Sequence, residues 1–283
     1  MKRILITGAN GQLGQCLRKV VSESSSHVFL FENRAMLNIT DNDAVFAYFH
    51  KHKPDFCINT AAFTQVDLAE SHRKEAYQIN VEGVKNLIEA CEEFSVKLIQ
   101  LSTDFVFDGA EKSPYLETDV PHPQTYYGQT KLEAETWIQH NLDAHYILRT
   151  SWLYSEFGHN FMKTMLRLAS EKKKIRVVDD QFGSPTSGID LAKAILAIVN
   201  AEENHYGLYH FSNSGETTWY GFAKEIFEKS KLNVNLEAIC TDDFPTPAAR
   251  PNYSVLNSSK FAKTFQFELR SWQKALSDVN KWL

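Results

Sequence analysis

Three glycines at intervals of three residues separate an apolar segment from a helical pattern near the start of the chain. An apolar strand is predicted at residues 3–7 and a helix at residues 12–23. Gly8 allows a tight turn between them, Gly11 lets the backbone approach a pyrophosphate, and Gly14, in the first turn of the helix, permits close packing of helix against strand. The free N–H groups and positive dipole end of such a helix attract phosphate. The segment therefore predicts the first strand–turn–helix unit of a dinucleotide-binding sheet.

Apolar strands alternate with helical patterns through the first half of the chain, as in a parallel α/β sheet. A long helix is predicted at residues 76–94, and the alternation becomes less regular after about residue 150. We therefore predict an α/β fold: a Rossmann-type doubly wound parallel sheet with a smaller C-terminal α/β lobe for the substrate. The NAD(P)-binding domain would span residues 1–150, and the chain would return to it at about residues 185–215. Residues 151–283 would mainly form the lobe.

The residues after the second predicted strand bear on the choice between NAD and NADP. There the chain reads Glu32-Asn33-Arg34. An acid at this point would bind the ribose 2′-hydroxyl of NAD, whereas an arginine would favour the 2′-phosphate of NADP. Because both are present, the sequence leaves the choice open.

A tyrosine and a lysine lie four residues apart in a helix predicted from residue 126 to 140. Tyr127 and Lys131 therefore share a helix face. A cation near a phenol lowers the phenol's pKa from its usual value of about 10, which would let Tyr127 exchange protons nearer neutral pH. The same spacing occurs at Tyr220 and Lys224, which we interpret as a structural pair in the C-terminal lobe.

Position in the fold distinguishes the first pair from the second. Ser102-Thr103-Asp104 stands at the predicted C-terminal end of the fourth strand, shortly before the helix that carries Tyr127. Ligands of open α/β sheets bind at this edge. Thr103 would either hydrogen-bond a substrate carbonyl beside the phenol or only cap the strand end.

Composition argues against several other classes of protein. The 283 residues carry a net charge of −5 with acids and bases interspersed, so no nucleic-acid partner is expected. The four cysteines are far apart in sequence, which favours reduced thiols and a cytoplasmic location over a zinc ribbon or disulfide framework. No apolar stretch reaches the roughly 18 residues of a membrane span, and the N-terminal apolar run is too short for an export signal.

These features together resemble the extended short-chain dehydrogenase/reductases over essentially the whole chain. Besides the glycine turn and Tyr127–Lys131, the resemblance is carried by the segments 59–70, 102–109, 149–154, 180–186, 207–210 and 249–251. Within this family, the Ser-Thr-Asp, Thr-Ser-Trp and Ala-Arg-Pro motifs are more similar to reductases of dTDP-sugars than to sugar epimerases.

The resemblance implies roles for individual residues. The implied catalytic residues are Thr103, Tyr127 and Lys131. The residues implied to bind the cofactor are Gly8, Gly11, Gln12, Leu13, Gly14, Asn38, Ile39, Ala61, Ala62 and Phe63, together with Tyr127 and Lys131. The residues implied to contact the substrate are Thr64, Val66, Thr103, Asp104, Tyr127, Trp152 and Arg250.

The resemblance also implies the reaction, which is reduction of the C4 ketone of a dTDP-linked 4-keto-6-deoxy sugar. NADPH would be the cofactor, with NADH as the alternative. A surface magnesium could bridge subunits, but the chemistry would not require it, so no metal ligand is assigned. A homodimer is the candidate assembly, without nucleic-acid or membrane partners. Two other functions stay open: a reductase or epimerase of another nucleotide sugar, and a non-catalytic NADP-binding regulatory subunit.

Overall fold

The computed structural model describes residues 1–21, 27–171 and 174–279. The strands in these ranges are β1 (Arg3–Thr7), β2 (Val28–Phe31), β3 (Phe56–Asn59), β4 (Lys97–Thr103), β5 (His145–Thr150), β6 (Leu153–Tyr154), β7 (Lys174–Val178), β8 (Phe182–Gly183), β9 (Thr186–Ser187), β10 (Gly207–His210), β11 (Thr217–Thr218) and β12 (Asn235–Ile239). The helices are α1 (Gln12–Val21), α2 (Asn42–His52), α3 (Val66–Ser71), α4 (Arg73–Tyr77), α5 (Gly83–Glu93), α6 (Tyr126–Asn141), α7 (Phe161–Glu171), α8 (Gly188–Asn200), α9 (Trp219–Lys229), α10 (Ser259–Thr264) and α11 (Trp272–Val279).

Six parallel strands form the central sheet, in the order β10-β5-β4-β3-β1-β2. Their side chains are largely apolar and buried because helices cover both faces of the sheet. One face packs on α1 and α8, through residues such as Leu17 and Ile195. The other packs on α2, α5 and α6, through residues such as Val45 and Ile138. The predicted doubly wound α/β fold is confirmed.

The chain leaves β1 for β2 at one edge and then returns to β3, β4 and β5 on the other side. The strand order therefore reverses between β1 and β3. Ligands of open α/β sheets bind beyond the carboxyl ends of the strands at such a reversal. The glycine turn after β1 lies at this point of the molecule.

The C-terminal half forms a second apolar cluster around short ladders. β7 pairs with β12, β6 with β9, and β8 with β11. Side chains of α7, α9 and α11 fill the cluster, among them Met162, Phe222 and Leu276. β10 joins the central sheet beside β5, and α8 packs against α1. The division of the chain into two domains at about residue 150 stays a prediction.

Some predicted helices differ from the observed ones. The helix predicted at residues 76–94 is divided into α4, a π-helical turn at Gln78–Glu82, and α5. The end of the helix predicted at residues 12–23, positions 22–23, lies outside the described residues. In the described ranges, no helix is both long and apolar enough to cross a bilayer.

Candidate active site

A buried row of polar side chains holds three strands together where they approach the glycine turn. Thr7 Oγ1 donates to Asn59 Oδ1 at 2.6 Å, and Asn59 Nδ2 donates to Gln100 Oε1 at 2.8 Å. These residues belong to β1, β3 and β4, and each is buried. Because buried amides without partners are costly, the row fixes the relative positions of the strand ends that carry the candidate site.

The glycine turn requires its first and third glycines for backbone reasons. Gly8 has φ +65°, and a Cβ atom there would lie 2.6 Å from the backbone nitrogen of Ala61. A Cβ atom on Gly14 would lie 2.6 Å from the Cα of Ala9. The turn is thus packed against both the loop after β3 and its own start. Leu13 is buried beneath it.

Six of the residues implied to bind the cofactor line one cavity of about 270 Å³ beside this turn: Gly8, Gly11, Asn38, Ile39, Ala61 and Ala62. Gln12 lies outside its lining, but its buried Nε2 has no hydrogen-bond partner among the described residues. Phe63 is buried in a different cluster, with Tyr127. The cavity adjoins backbone amides and a glycine turn, so it fits the adenosine end of a dinucleotide.

The acid and the arginine that follow β2 have different surroundings. Tyr48 donates a hydrogen bond to the carboxylate of Glu32 at 2.7 Å, and burial together with this carboxylate raises the Tyr48 pKa. Arg34 is exposed and lines the 270 Å³ cavity. Within the described chain, its guanidinium has no hydrogen-bond or ion-pair partner.

Thr103, Tyr127 and Lys131 are all buried and lie at the junction of β4 and α6. Thr125 begins the helix by accepting a hydrogen bond from the Gly128 N–H at 3.0 Å. This cap holds the first turn, which contains Tyr127, over the end of β4. The Thr103 side chain lies near the Tyr127 phenol, and its hydroxyl donates a hydrogen bond to Asp104 Oδ1 at 3.1 Å.

The two titratable groups of this trio have shifted pKa values, both mainly because of burial. Burial raises the pKa of Tyr127 to about 12, while the nearby Thr103 side chain acts in the opposite direction. The expectation that Lys131 lowers this pKa is wrong for this structure. Lys131 Nζ instead donates to the carbonyl of Leu101 at 2.6 Å. Burial lowers the pKa of Lys131 to about 8, and the charge of Glu135 opposes that shift.

Several buried polar atoms around the trio have no partner among the described residues. They are Ser102 Oγ, Asp104 Oδ2 and Thr150 Oγ1. Ser102 and Thr150 lie on β4 and β5, and Thr150 pairs in register with Thr103. Since buried polar groups are nearly always hydrogen-bonded, these atoms fit a ligand that carries its own polar groups. Sequence reasoning missed Ser102 and Thr150, although the strand ends and the Thr-Ser-Trp motif gave a signal for both.

Asp104 is the buried carboxylate of this group. Burial raises its pKa to about 6, and the neighbouring hydroxyls of Ser254 and Thr103 act against the shift; the Thr103 hydroxyl donates to Asp104 Oδ1 at 3.1 Å. Its charge in turn raises the pKa of Tyr127. A carboxylate oxygen without a partner beside a phenol and a hydroxyl is suited to bind a sugar hydroxyl.

The other residues implied to contact substrate are distributed around Tyr127. Val66 packs in the same apolar cluster as Tyr127. Arg250 lies over the ring of Phe105 with 5.7 Å between Cζ and centroid, and Phe105 meets Tyr127 edge-on at 5.9 Å. Trp152 stacks on Trp219 at 3.5 Å. Thr64 is exposed, and within the described ranges no hydrogen bond or ring contact joins Thr64 or Trp152 to Tyr127.

A buried ion pair, which sequence reasoning missed, lies behind Lys131. Arg149 Nη2 and Glu135 Oε2 are 2.6 Å apart, and both side chains are almost fully buried. Arg149 Nη1 also approaches His210 Nε2 at 3.3 Å. Burial and the charge of Arg149 lower the His210 pKa to about 3, so this imidazole is neutral. Among the described residues, no group of three or more acidic, histidine or cysteine side chains is arranged to hold a metal ion.

The sequence and structure are similar to those of proteins with established names. The family model described as RmlD substrate binding domain matches residues 1–282. A dTDP-4-dehydrorhamnose reductase from Aggregatibacter actinomycetemcomitans is 40% identical, with 100% of this chain and 99% of the relative covered. A crystal structure of a dTDP-4-dehydrorhamnose reductase from Clostridium acetobutylicum has a TM-score of 0.94 at 40% identity and covers 99% of each chain.

A second solved structure was determined with a dinucleotide. It is the dTDP-4-dehydrorhamnose reductase from Bacillus anthracis in complex with NADP, with a TM-score of 0.94 and 36% identity. The alignment covers 100% of this chain and 99% of that one. With the family model matching nearly every residue, the chain belongs to the RmlD substrate binding domain family, and the resemblance inferred from its motifs is confirmed.

Proposed function

We propose that the protein is a dTDP-4-dehydrorhamnose reductase, which reduces the C4 ketone of dTDP-4-dehydro-L-rhamnose to give dTDP-L-rhamnose. The observation that carries the proposal is the burial of Thr103, Tyr127 and Lys131 together where β4 meets α6, with the Thr103 side chain near enough to the Tyr127 phenol to lower its pKa. The three residues lie where β4 ends, beside buried polar atoms suited to a ligand. Full-length similarity to relatives of that name supports the choice of substrate.

The chemistry requires a hydride at C4 and a proton at the ketone oxygen. When bound, NADPH supplies the hydride. Tyr127 donates its phenolic proton to the oxygen; with a pKa of about 12, the phenol is protonated at neutral pH and ready to act as the acid. Thr103 holds the ketone oxygen beside the phenol. Lys131, whose Nζ is fixed by the Leu101 carbonyl, would bind the ribose next to the nicotinamide, and solvent then restores the proton of Tyr127.

The substrate is held by residues around this centre. Asp104 accepts a hydrogen bond from a sugar hydroxyl through its unpartnered Oδ2. Thr64, Val66 and Trp152 line the sugar pocket. Arg250 binds the diphosphate, since a planar guanidinium matches phosphate oxygens.

Arg34 gives the enzyme a preference for NADPH over NADH. The competing acid, Glu32, is engaged by Tyr48, whereas Arg34 lines the adenosine cavity with its guanidinium unpaired in the described chain. The 2′-phosphate of NADPH supplies the missing partner. Arg34→Ala should therefore weaken NADP⁺ binding roughly tenfold and leave NAD⁺ binding unchanged. Calorimetry with each nucleotide measures this directly, and equal weakening of both would contradict it.

The function is tested by following nicotinamide absorbance with dTDP-4-dehydro-L-rhamnose and purified protein. Wild-type protein should turn over, faster with NADPH than with NADH. Tyr127→Phe removes the proton donor and should lower kcat by at least about 100-fold while NADPH binding is retained. Wild-type protein that binds NADPH but reduces no dTDP-sugar would refute the proposal.

A further inference from the structure

The short helix α3 carries two carboxylates that reach different parts of the candidate site. Asp67 Oδ1 accepts a hydrogen bond from the Ala248 N–H at 3.1 Å, and Asp67 Oδ2 pairs with Arg250 Nη2 at 2.7 Å. Glu70 Oε1 accepts from the Tyr126 N–H at 2.8 Å. Asp67 therefore holds the C-terminal segment that contains Arg250, and Glu70 holds the first residue of α6.

Arg250 is held on two sides and still has donors to offer. Its Nη1 donates to the carbonyl of Ala248 at 2.9 Å, and its Nη2 donates to Asp67. A guanidinium has five N–H donors in a fixed plane, so these two bonds set its orientation and leave the others for a ligand. The side chain is 22% exposed and lies over Phe105, next to Tyr127.

We propose that Asp67 is a positioning residue, which acts through Arg250 to set the affinity for the diphosphate of the nucleotide sugar. The inference rests on the proposed function, in which Arg250 meets that diphosphate. Two bonds from one carboxylate fix both the backbone of the 248–250 segment and the plane of the guanidinium. Without Asp67, Arg250 would sample orientations that do not present its free N–H groups to phosphate, and substrate binding would lose that preorganisation.

Asp67 contributes to binding more than to folding. Its side chain is 41% exposed, and exposed ion pairs add little to stability. A variant should therefore fold normally while binding the diphosphate poorly. Glu70 provides an internal contrast: it caps the helix that carries Tyr127, so its loss should lower kcat rather than raise the KM for the sugar nucleotide.

The experiment is a double-mutant cycle on the full-length protein with Asp67→Ala, Arg250→Ala and the double variant. Two quantities are measured: the KM for dTDP-4-dehydro-L-rhamnose at saturating NADPH, and the Kd of dTDP alone by calorimetry. Asp67→Ala should raise both roughly tenfold, with kcat and NADPH affinity unchanged. The double variant should bind dTDP no more weakly than Arg250→Ala, because Asp67 acts only through Arg250.

Matched variants separate this role from a general structural one. Asp67→Asn keeps an oxygen acceptor and should recover part of the affinity. Glu133→Gln removes another carboxylate that accepts a side-chain hydrogen bond, from Tyr77 at 2.9 Å, and should change neither constant. Additive losses in the cycle, an unchanged Kd in Asp67→Ala, or tighter dTDP binding in that variant would each overturn the proposal. Because dTDP binding needs no turnover, failure of the proposed function would be seen separately, as an inactive wild-type protein.

Discussion

Two helices of this chain begin with the same local pattern, and only one of them contributes to the candidate site. Residues 125–135 and 218–228 both read threonine, aromatic, tyrosine, glycine, then lysine three positions on and glutamate four beyond it. Both threonines cap their helices by accepting a hydrogen bond from the glycine N–H, at 3.0 Å in each case. The pattern thus predicts a capped helix in both places, and both helices form.

The surroundings of the two helices differ completely. In α6, Lys131 is 3% exposed and bonded to a carbonyl of β4, and Tyr127 meets Thr103. In α9, Lys224 is 63% exposed and lies 4.0 Å from Glu228, and Tyr220 packs at the edge of the C-terminal apolar cluster. A helix start becomes a candidate catalytic element here only because the end of a parallel strand lies beneath it.

The largest expected difference between the helices is in the stability contributed by their glutamates. Glu135→Gln leaves the buried Arg149 charge without its counter-ion, which should lower the free energy of unfolding by about 3–5 kcal/mol. Glu228→Gln removes only an exposed pair and should cost about 0.5 kcal/mol or less. Urea unfolding of both variants measures the two values. If both variants lost the same free energy of unfolding, the buried ion pair would contribute no more to stability than the exposed one.

The next difference concerns the lysines and the rate of reduction. Lys131→Met removes the cation that would hold the nicotinamide ribose in position for hydride transfer, so kcat should fall on the order of 100-fold. Lys224→Met changes an exposed side chain outside the site and should leave kcat as it is. The kcat of each variant is measured from NADPH oxidation at saturating substrate. A comparable loss in Lys224→Met would show that the second helix takes part in the reaction.

The same comparison explains what could be predicted from the sequence. The glycine turn, the alternation of strands and helices, and the position of Tyr127 beyond a strand end depend on local patterns, and the fold followed from them. The contacts that tune the site join distant residues: 30 positions separate Lys131 from Leu101, and 183 separate Arg250 from Asp67. Contacts between residues so far apart in the chain cannot be predicted from the spacing of neighbouring residues.

The direction of the Tyr127 pKa shift also could not be predicted from spacing. A lysine four residues away suggested a lower value, but the pKa depends on burial, which comes from the packing of α6 against β4. In the same way, the π-helical turn at Gln78–Glu82 interrupts a region whose apolar pattern predicts one continuous helix. Asn80 in this turn is buried and bonds both backbone groups of Phe63, so the turn supports the loop beside the candidate site.

The smallest expected effect is a pH dependence that only the buried lysine should produce. Burial lowers the pKa of Lys131 to about 8, so this ammonium loses its proton as the pH rises through that value. The kcat/KM for reduction should then fall about tenfold per pH unit above it, because only the charged ammonium would hold the nicotinamide ribose in position. The Lys224→Met variant should show the same decline of kcat/KM with pH. The Lys131→Arg variant stays charged, so it should remain active and its kcat/KM should not decline in this pH range.

Stability should respond to pH in the opposite direction in the same window. The pKa of Lys131 is lower in the folded protein than its ordinary value of 10.5, so between about 8 and 10.5 the unfolded chain binds more protons at this residue. The contribution of Lys131 to the free energy of unfolding therefore rises with pH through this window. Subtracting the pH profile of Lys131→Met from that of the wild-type protein isolates this contribution. If the difference between the two unfolding free energies stays constant or falls as the pH rises, Lys131 does not lose its proton in this window. The decline of kcat/KM would then have another cause.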